Sequence, residues 1–194
     1  MPADAVSPSL FGDIVVLDLT STIRGMHCTK MFGDYGAEVI LIEPIGSSPA
    51  RDIGPFAGGI QDRETSLHFA HHNRNKKSIT LNLETTRGRD ILRDLARNAD
   101  LLIEDWPVGA LAALGLGYEQ LHALNPRLVV CSITGFGQTG PYASYKTSNI
   151  VEDAMGSLMS ITGPADKPPT MTGAQQAEHI TGMHAAYASA AALL

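Results

Sequence analysis

An α/β fold, with a parallel sheet flanked by helices, is predicted from three features of the sequence. Short apolar runs suited to strands alternate with segments of helical spacing along the chain. Helices between consecutive strands favour parallel pairing through right-handed crossovers. A chain of 194 residues with 44% apolar content is long enough for one domain with a real core.

The elements follow in order. Residues 14–19 form a short apolar strand, followed by a Gly-containing loop. Residues 26–35 read as a helix ended by Gly36, and 38–42 as a second strand. Residues 44–77 form a long polar stretch rich in Gly, Pro and charge, a length of loop that usually serves function. Residues 78–83 alternate as a strand, and 86–98 carry Ile91, Leu92, Leu95 and Ala96 at helical spacing. Another strand spans 101–104, short helical turns cover 107–124, and 127–134 is strongly β-prone. After a Gly-rich loop come helical segments near 149–161 and 174–194. Ligands of such sheets bind outside the carboxyl ends of the strands, so the loops after Leu19, Ile42, Glu104 and Thr134 are the places to look.

Composition narrows the function. A formal net charge of −6 argues against nucleic-acid binding, which needs a basic face. No apolar run reaches transmembrane length. Met1 to Ala5 lack the basic and apolar regions of a signal peptide, so a cytoplasmic location is expected. Cys28 and Cys131 sit in apolar settings outside any CxxC spacing and are expected to be reduced thiols. The Ala-rich segment 181–194 ends without Gly, Asn or a basic residue, which suggests an N-terminal fragment or one part of a split protein.

Few motifs carry chemistry by themselves. Gly135-Phe136-Gly137-Gln138-Thr139-Gly140 matches GxGxxG after a strand, but Pro141 and Tyr142 follow where a helix should open. No nicotinamide or flavin is expected; the glycines serve a turn or the close approach of another ligand. The run Asn73-Arg74-Asn75-Lys76-Lys77-Ser78 is the densest basic cluster. It is either a solvated charge run or a site for a polyanionic cofactor's phosphates, with Arg51 and Lys146 on the same surface. His71 and His72 are adjacent, and in a strand they would face opposite ways, so no metal site is expected. Glu178, in the first half of a helix among small residues, reads on its own as surface charge or a salt bridge.

An ordered string of motifs resembles the family III CoA-transferases, the group of formyl-CoA and carnitine CoA-transferases. It runs from Val16-Leu17-Asp18-Leu19-Thr20 through Gly33-Asp34-Tyr35-Gly36-Ala37-Glu38 and Ile42-Glu43-Pro44 to Arg51 and Gly54-Pro55. Asn73 to Ser78, Gly115-Leu116-Gly117-Tyr118, Asn125-Pro126-Arg127 and Ser132 to Tyr142 complete it. The resemblance covers nearly the whole chain from about residue 12. It implies a Rossmann-like sheet, the N-terminal part of the family's large domain, with residues 1–194 as one CoA-binding unit. The small domain and the C-terminal return segment would be absent.

The resemblance also implies a reaction. CoA moves from an acyl-CoA donor to a carboxylic acid through a CoA thioester on a side-chain carboxylate. It implies Glu178 as that carboxylate and coenzyme A along Arg51, Asn73, Arg74, Asn75, Lys76, Lys77 and Lys146, without a metal. Expected partners are acyl-CoA and a small carboxylic acid, with an interlocked homodimer or a heteromer with a related subunit, and neither nucleic acid nor membrane. The departures cluster at the same place. The family's nucleophile is an aspartate, and an extra methylene moves the carboxylate by roughly 1 Å, a misplacement that can cost about 100-fold in rate. Thr147-Ser148-Asn149 replaces an aromatic and an acid, Ala113 replaces an arginine, and Arg24 replaces a small residue. A catalytically silent subunit, or half of a heteromeric or fused enzyme, is therefore the alternative. An acyl-CoA racemase stands behind it, because the acid/base histidine of that reaction is missing.

Overall fold

The computed structural model describes residues 9–194; Met1 to Ala5, read above for a targeting signal, lie outside them. Five parallel strands form one sheet: β1 (Val15–Leu19), β2 (Glu38–Glu43), β3 (Lys76–Thr80), β4 (Leu101–Glu104) and β5 (Val129–Ser132). Their spatial order is β3-β2-β1-β4-β5, so the order reverses between β1 and β4. That reversal creates the crevice at which such sheets bind ligands.

The central strand β1 explains the layering. Successive side chains on a strand face opposite ways. Leu17 and Leu19 join Leu92, Ala96, Leu121 and Leu128 on one face, under α3 (Thr86–Ala96) and α5 (Tyr118–Leu124). Val16 joins Cys28, Phe32, Val39, Ile103 and Ala186 on the other, under α1 (Ile23–Asp34) and α7 (Gln176–Leu193). Leu17 lies opposite Ile40 of β2 and Leu102 of β4, so β1 is flanked by a strand on each side, and Asp18 is its buried charged residue. Both cysteines are free thiols, Cys28 buried and Cys131 partly buried, and burial pushes both up.

Several elements differ from the sequence reading: α1 begins at Ile23 rather than at 26, and β5 is shorter than 127–134. The stretch 44–77 contains a helix, α2 (Leu67–Asn73), started by the Ser66 hydroxyl, which accepts from the Phe69 N–H at 3.0 Å. The third strand begins at Lys76 rather than at 78. The segment 149–161 divides into α6 (Asn149–Met155) and a 3-10 turn, Leu158–Ile161, with Ser157 at φ +65° between them. The short α4 (Ala110–Ala113) completes the set. Among the described residues, no helix is long and apolar enough to cross a membrane.

Candidate active site

Glu178 lies in the first turn of α7 and is 9% exposed. Its position depends on Gly182, one turn later. A Cβ on Gly182 would stand 2.6 Å from the Arg24 carbonyl oxygen, so only glycine lets α7 approach α1 this closely. The approach delivers the Glu178 carboxylate to the N-terminus of α1, where the Arg24 N–H donates to Oε2 at 3.2 Å. Helix N-termini carry free N–H groups and a partial positive charge, so a carboxylate is held well there. Burial nevertheless raises the Glu178 pKa from its ordinary value, with Arg24 opposing and Glu152 reinforcing the shift.

Arg24 stands between two carboxylates. One guanidinium nitrogen pairs with Glu152 of α6, and Nε lies 3.7 Å from Glu178 Oε2. Arg24 and Glu152 line a cleft of about 600 Å³ with Thr134, Phe136, Ile180 and Thr181. Three buried polar atoms without a hydrogen-bond partner belong to residues that line it: Arg24 Nε, Glu152 Oε2 and Thr134 Oγ1. Folded interiors pair nearly all such atoms, so these three have capacity left for water or for polar groups of a ligand. On the other side of the α1 N-terminus, Asp105 accepts from the Ser21 and Thr22 N–H groups at 2.9 and 2.7 Å. Burial raises its pKa, and the Thr22 bonds oppose that. Its carboxylate fixes the loop that leads into α1.

The model of CoA-transferase family III matches residues 11–194. The chain belongs to this family. A succinate–glutarate CoA-transferase of Agrobacterium fabrum is 40% identical over 190 residues, covering 96% of this chain and 47% of that protein. A formyl-CoA:oxalate CoA-transferase of Streptomyces avermitilis is 41% identical over 182 residues, covering 93% and 43%. The crystal structure of a CAIB/BAIF family protein from Brucella suis superposes with a TM-score of 0.86 at 36% identity, covering 93% of this chain and 48% of that one. The chain spans about half the length of the curated relatives it matches.

In this family III chain the basic run is split by its backbone. Because β3 starts at Lys76, Lys76 and Lys77 face opposite ways. Lys76 turns inward: its Nζ donates to Asp18 Oδ2 at 2.9 Å, Thr29 Oγ1 at 2.7 Å and Asn73 Oδ1 at 2.8 Å. With 1% of its side chain exposed, Lys76 is withdrawn from any phosphate contact. Asn73 is withdrawn with it; its amide donates to the Phe69 carbonyl at 3.1 Å. Asn75, at φ +65°, donates to Asp34 at 3.1 Å. Lys77 remains exposed and pairs with Glu38 at 2.7 Å. Arg51 pairs with Glu43 at 2.7 Å and stacks on Phe69, 3.8 Å from its centroid. Arg74 is exposed and lines a shallow pocket of about 300 Å³ with Arg51 and Arg63. Lys146 is exposed on the loop before α6.

A larger cleft, of about 730 Å³, opens at the carboxyl ends of β1, β2 and β3 and is lined by Leu19, Ser21, Ile42, Leu81, Trp106 and Leu114. It lies where the strand order predicts. The GxGxxG segment forms a turn: Gly137 and Gly140 have φ +79° and +97°, and the next helix begins only at Asn149. Sequence reasoning passed over Glu152 as a partner of the site and missed His27 altogether. The spacing of Arg24 and Glu152, on elements far apart in sequence, carries no local signal. His72 is in α2 rather than a strand, and its Nε2 lies 3.3 Å from that of His179. Burial pushes His72 down to about 4.

Proposed function

We propose that this chain is the CoA-binding half of an acyl-CoA:carboxylate CoA-transferase with Glu178 as nucleophile. The observation that carries the reading is the Glu178 carboxylate itself, buried and held by an N–H at the start of α1 beside a cleft of unpartnered polar atoms. The larger apolar cleft suits the pantetheine and adenosine parts of CoA. Its phosphates would meet Arg74, Arg63 and Arg51 in the neighbouring shallow pocket, with Lys77 and Lys146 at the periphery. The 3-10 turn Pro49–Asp52 joins the two, since Pro49 lines the first and Arg51 the second.

The steps then balance. A Glu178 oxygen attacks the donor thioester carbonyl, and CoA leaves as the thiolate, giving a mixed anhydride. The thiolate attacks the Glu178 carbonyl, which releases the donor acid and leaves CoA as a thioester on the enzyme. The acceptor carboxylate attacks that thioester and expels CoA thiolate again. The thiolate takes the acceptor acyl group, and the Glu178 carboxylate is restored. Each addition places negative charge on a carbonyl oxygen, and the Arg24 N–H, which already meets Glu178 Oε2, suits its stabilisation. The relatives' names, succinate–glutarate and formyl-CoA:oxalate CoA-transferase, support dicarboxylic acids as acceptors.

A second reading is favoured by one observation. Arg24 lines the cleft and is shared between Glu152 and Glu178, a charge pairing that suits a subunit kept for CoA binding while another chain supplies the nucleophile. Trapping decides between the two. The protein in its full natural length is incubated with succinyl-, glutaryl- and formyl-CoA, treated with borohydride, and mapped by mass spectrometry. Modification at Glu178, abolished in Glu178→Gln, is expected. Absence of modification when an aspartate-bearing relative is labelled under the same conditions overturns the nucleophile role.

A further inference from the structure

We propose that His27, His72 and His179 form a binding site for a divalent first-row metal ion, of the zinc class, which ties α1, α2 and α7 together. The three residues come from three helices, and one ring nitrogen from each lies within 4.8 Å of the other two. Two of the rings are already arranged as ligands. The Nδ1 atoms of His72 and His179 lie 3.0 and 3.1 Å from the carbonyl oxygens of His68 and Gln175. A carbonyl oxygen only accepts, so each Nδ1 carries the proton and each Nε2 presents a lone pair. This is how metal-binding histidines are usually oriented, with the second nitrogen donating to a carbonyl.

Those two lone pairs face each other across 3.3 Å. Two acceptors at that distance repel unless a cation lies between them. Zinc–nitrogen bonds of roughly 2.0–2.1 Å at a tetrahedral angle place two ligand nitrogens roughly 3.3–3.4 Å apart. The observed separation is therefore already that of a chelating pair. His27 closes the third side, its ring centroid 5.0 Å from that of His179 and 6.0 Å from that of His72. Its Nδ1 is buried and has no partner. One His27 ring nitrogen lies within 4.8 Å of those of His72 and His179, so bringing it to ligand distance requires a shift of about 1.5 Å, within reach of a side-chain rotation. His72 is buried while His27 and His179 are partly exposed, so the fourth position is open to water. Three imidazoles suit zinc, nickel, copper or iron rather than magnesium or calcium.

A second observation gives the site a role. His179 follows Glu178 in α7, and adjacent helical side chains diverge by about 100°. The ion would therefore hold the first turn of α7 against α1 and α2 without touching the carboxylate of Glu178. The proposal does not depend on the CoA-transfer reading.

The test uses the protein in its full natural length, without an affinity tag, after dialysis against a chelator. Cobalt(II) is titrated by its visible ligand-field absorption, and zinc is then used to displace it. One ion per chain is expected, with bands of a four- or five-coordinate site and a zinc-dependent rise in the thermal midpoint. His27→Gln, His72→Gln and His179→Gln should each weaken binding by at least about 10-fold. His184→Gln, a neighbouring histidine of α7 outside the cluster, should leave it unchanged. His179→Gln, partly exposed, guards against loss of the fold in the more buried variants. Absence of stoichiometric binding, or binding that survives all three substitutions, overturns the proposal and leaves a shared proton between His72 and His179.

Discussion

Two buried cations flank the first turns of α1, and their surroundings differ. The Lys76 ammonium meets Asp18, Thr29, Asn73 and the Met26 carbonyl. Asp18 in turn accepts from Thr29 Oγ1 at 2.7 Å and from the Thr20 N–H at 2.9 Å. The Arg24 guanidinium meets Glu152 and approaches Glu178, but its Nε and Glu152 Oε2 have no hydrogen-bond partner. A network whose members are all satisfied specifies the fold, because every alternative packing leaves a charge orphaned. A network left partly open retains capacity for a ligand. The contrast separates a closed charge network from an open one, although both involve the same helix.

The largest effect expected from this contrast is at Lys76. Lys76→Met leaves Asp18 buried and unpaired, and removing one member of a buried pair costs about 3–5 kcal/mol. Chemical denaturation of the full-length protein should show that loss. Replacing Asp18 with Asn in the same chain should restore part of it, because the uncompensated charge is gone. A loss below about 1 kcal/mol for the single variant would show that water reaches the pair.

Arg24→Ala should cost less, about 1–3 kcal/mol, because its partners border an open cleft where water can replace it. Denaturation should rank the two variants in that order, and the reverse order would break the comparison. Adding Glu152→Ala should recover stability if the orphaned Glu152 carboxylate is the source of the loss. A purely additive double variant would mean that the two side chains contribute independently.

How much of this was legible in the sequence depended on whether the signal was local. Strand β4 matches its sequence bounds, and β1 and β2 shift by one residue, because continuous apolar runs bounded by loop residues are visible in any window. Helix α2 was hidden. Its seven residues include three histidines, and it is fixed by the Ser66 cap and by the burial of His72 and Asn73 rather than by a periodic apolar face. Missing it left His71 and His72 read as strand neighbours and concealed the three-histidine cluster. The opposite error concerned Lys76 and Lys77. In sequence they read as one basic surface, but the period-two rule of a strand sends one inside and the other out. Glu178 was found by resemblance alone. Its environment is made by Arg24, Glu152 and Gly182, residues that only tertiary packing brings together.

Lys77 gives the smallest and sharpest comparison. It lies next to Lys76 in sequence, yet 71% of its side chain is exposed and it pairs with Glu38 at 2.7 Å. An exposed pair contributes roughly 0–1 kcal/mol, so Lys77→Ala should barely move the denaturation midpoint, in contrast with its neighbour. A phosphate contact, by comparison, acts through charge that salt screens over about 10 Å at 0.1 M. If Lys77 meets CoA, the variant should bind CoA several-fold more weakly in calorimetry at low salt, and the deficit should shrink as salt is added. Unchanged CoA affinity at low salt would remove Lys77 from the proposed phosphate set and leave Arg74, with Arg51, Arg63 and Lys146, as the proposed anchor. A stability loss as large as that of Lys76→Met would instead show that the two lysines act as one buried unit, contrary to the inward and outward faces of β3.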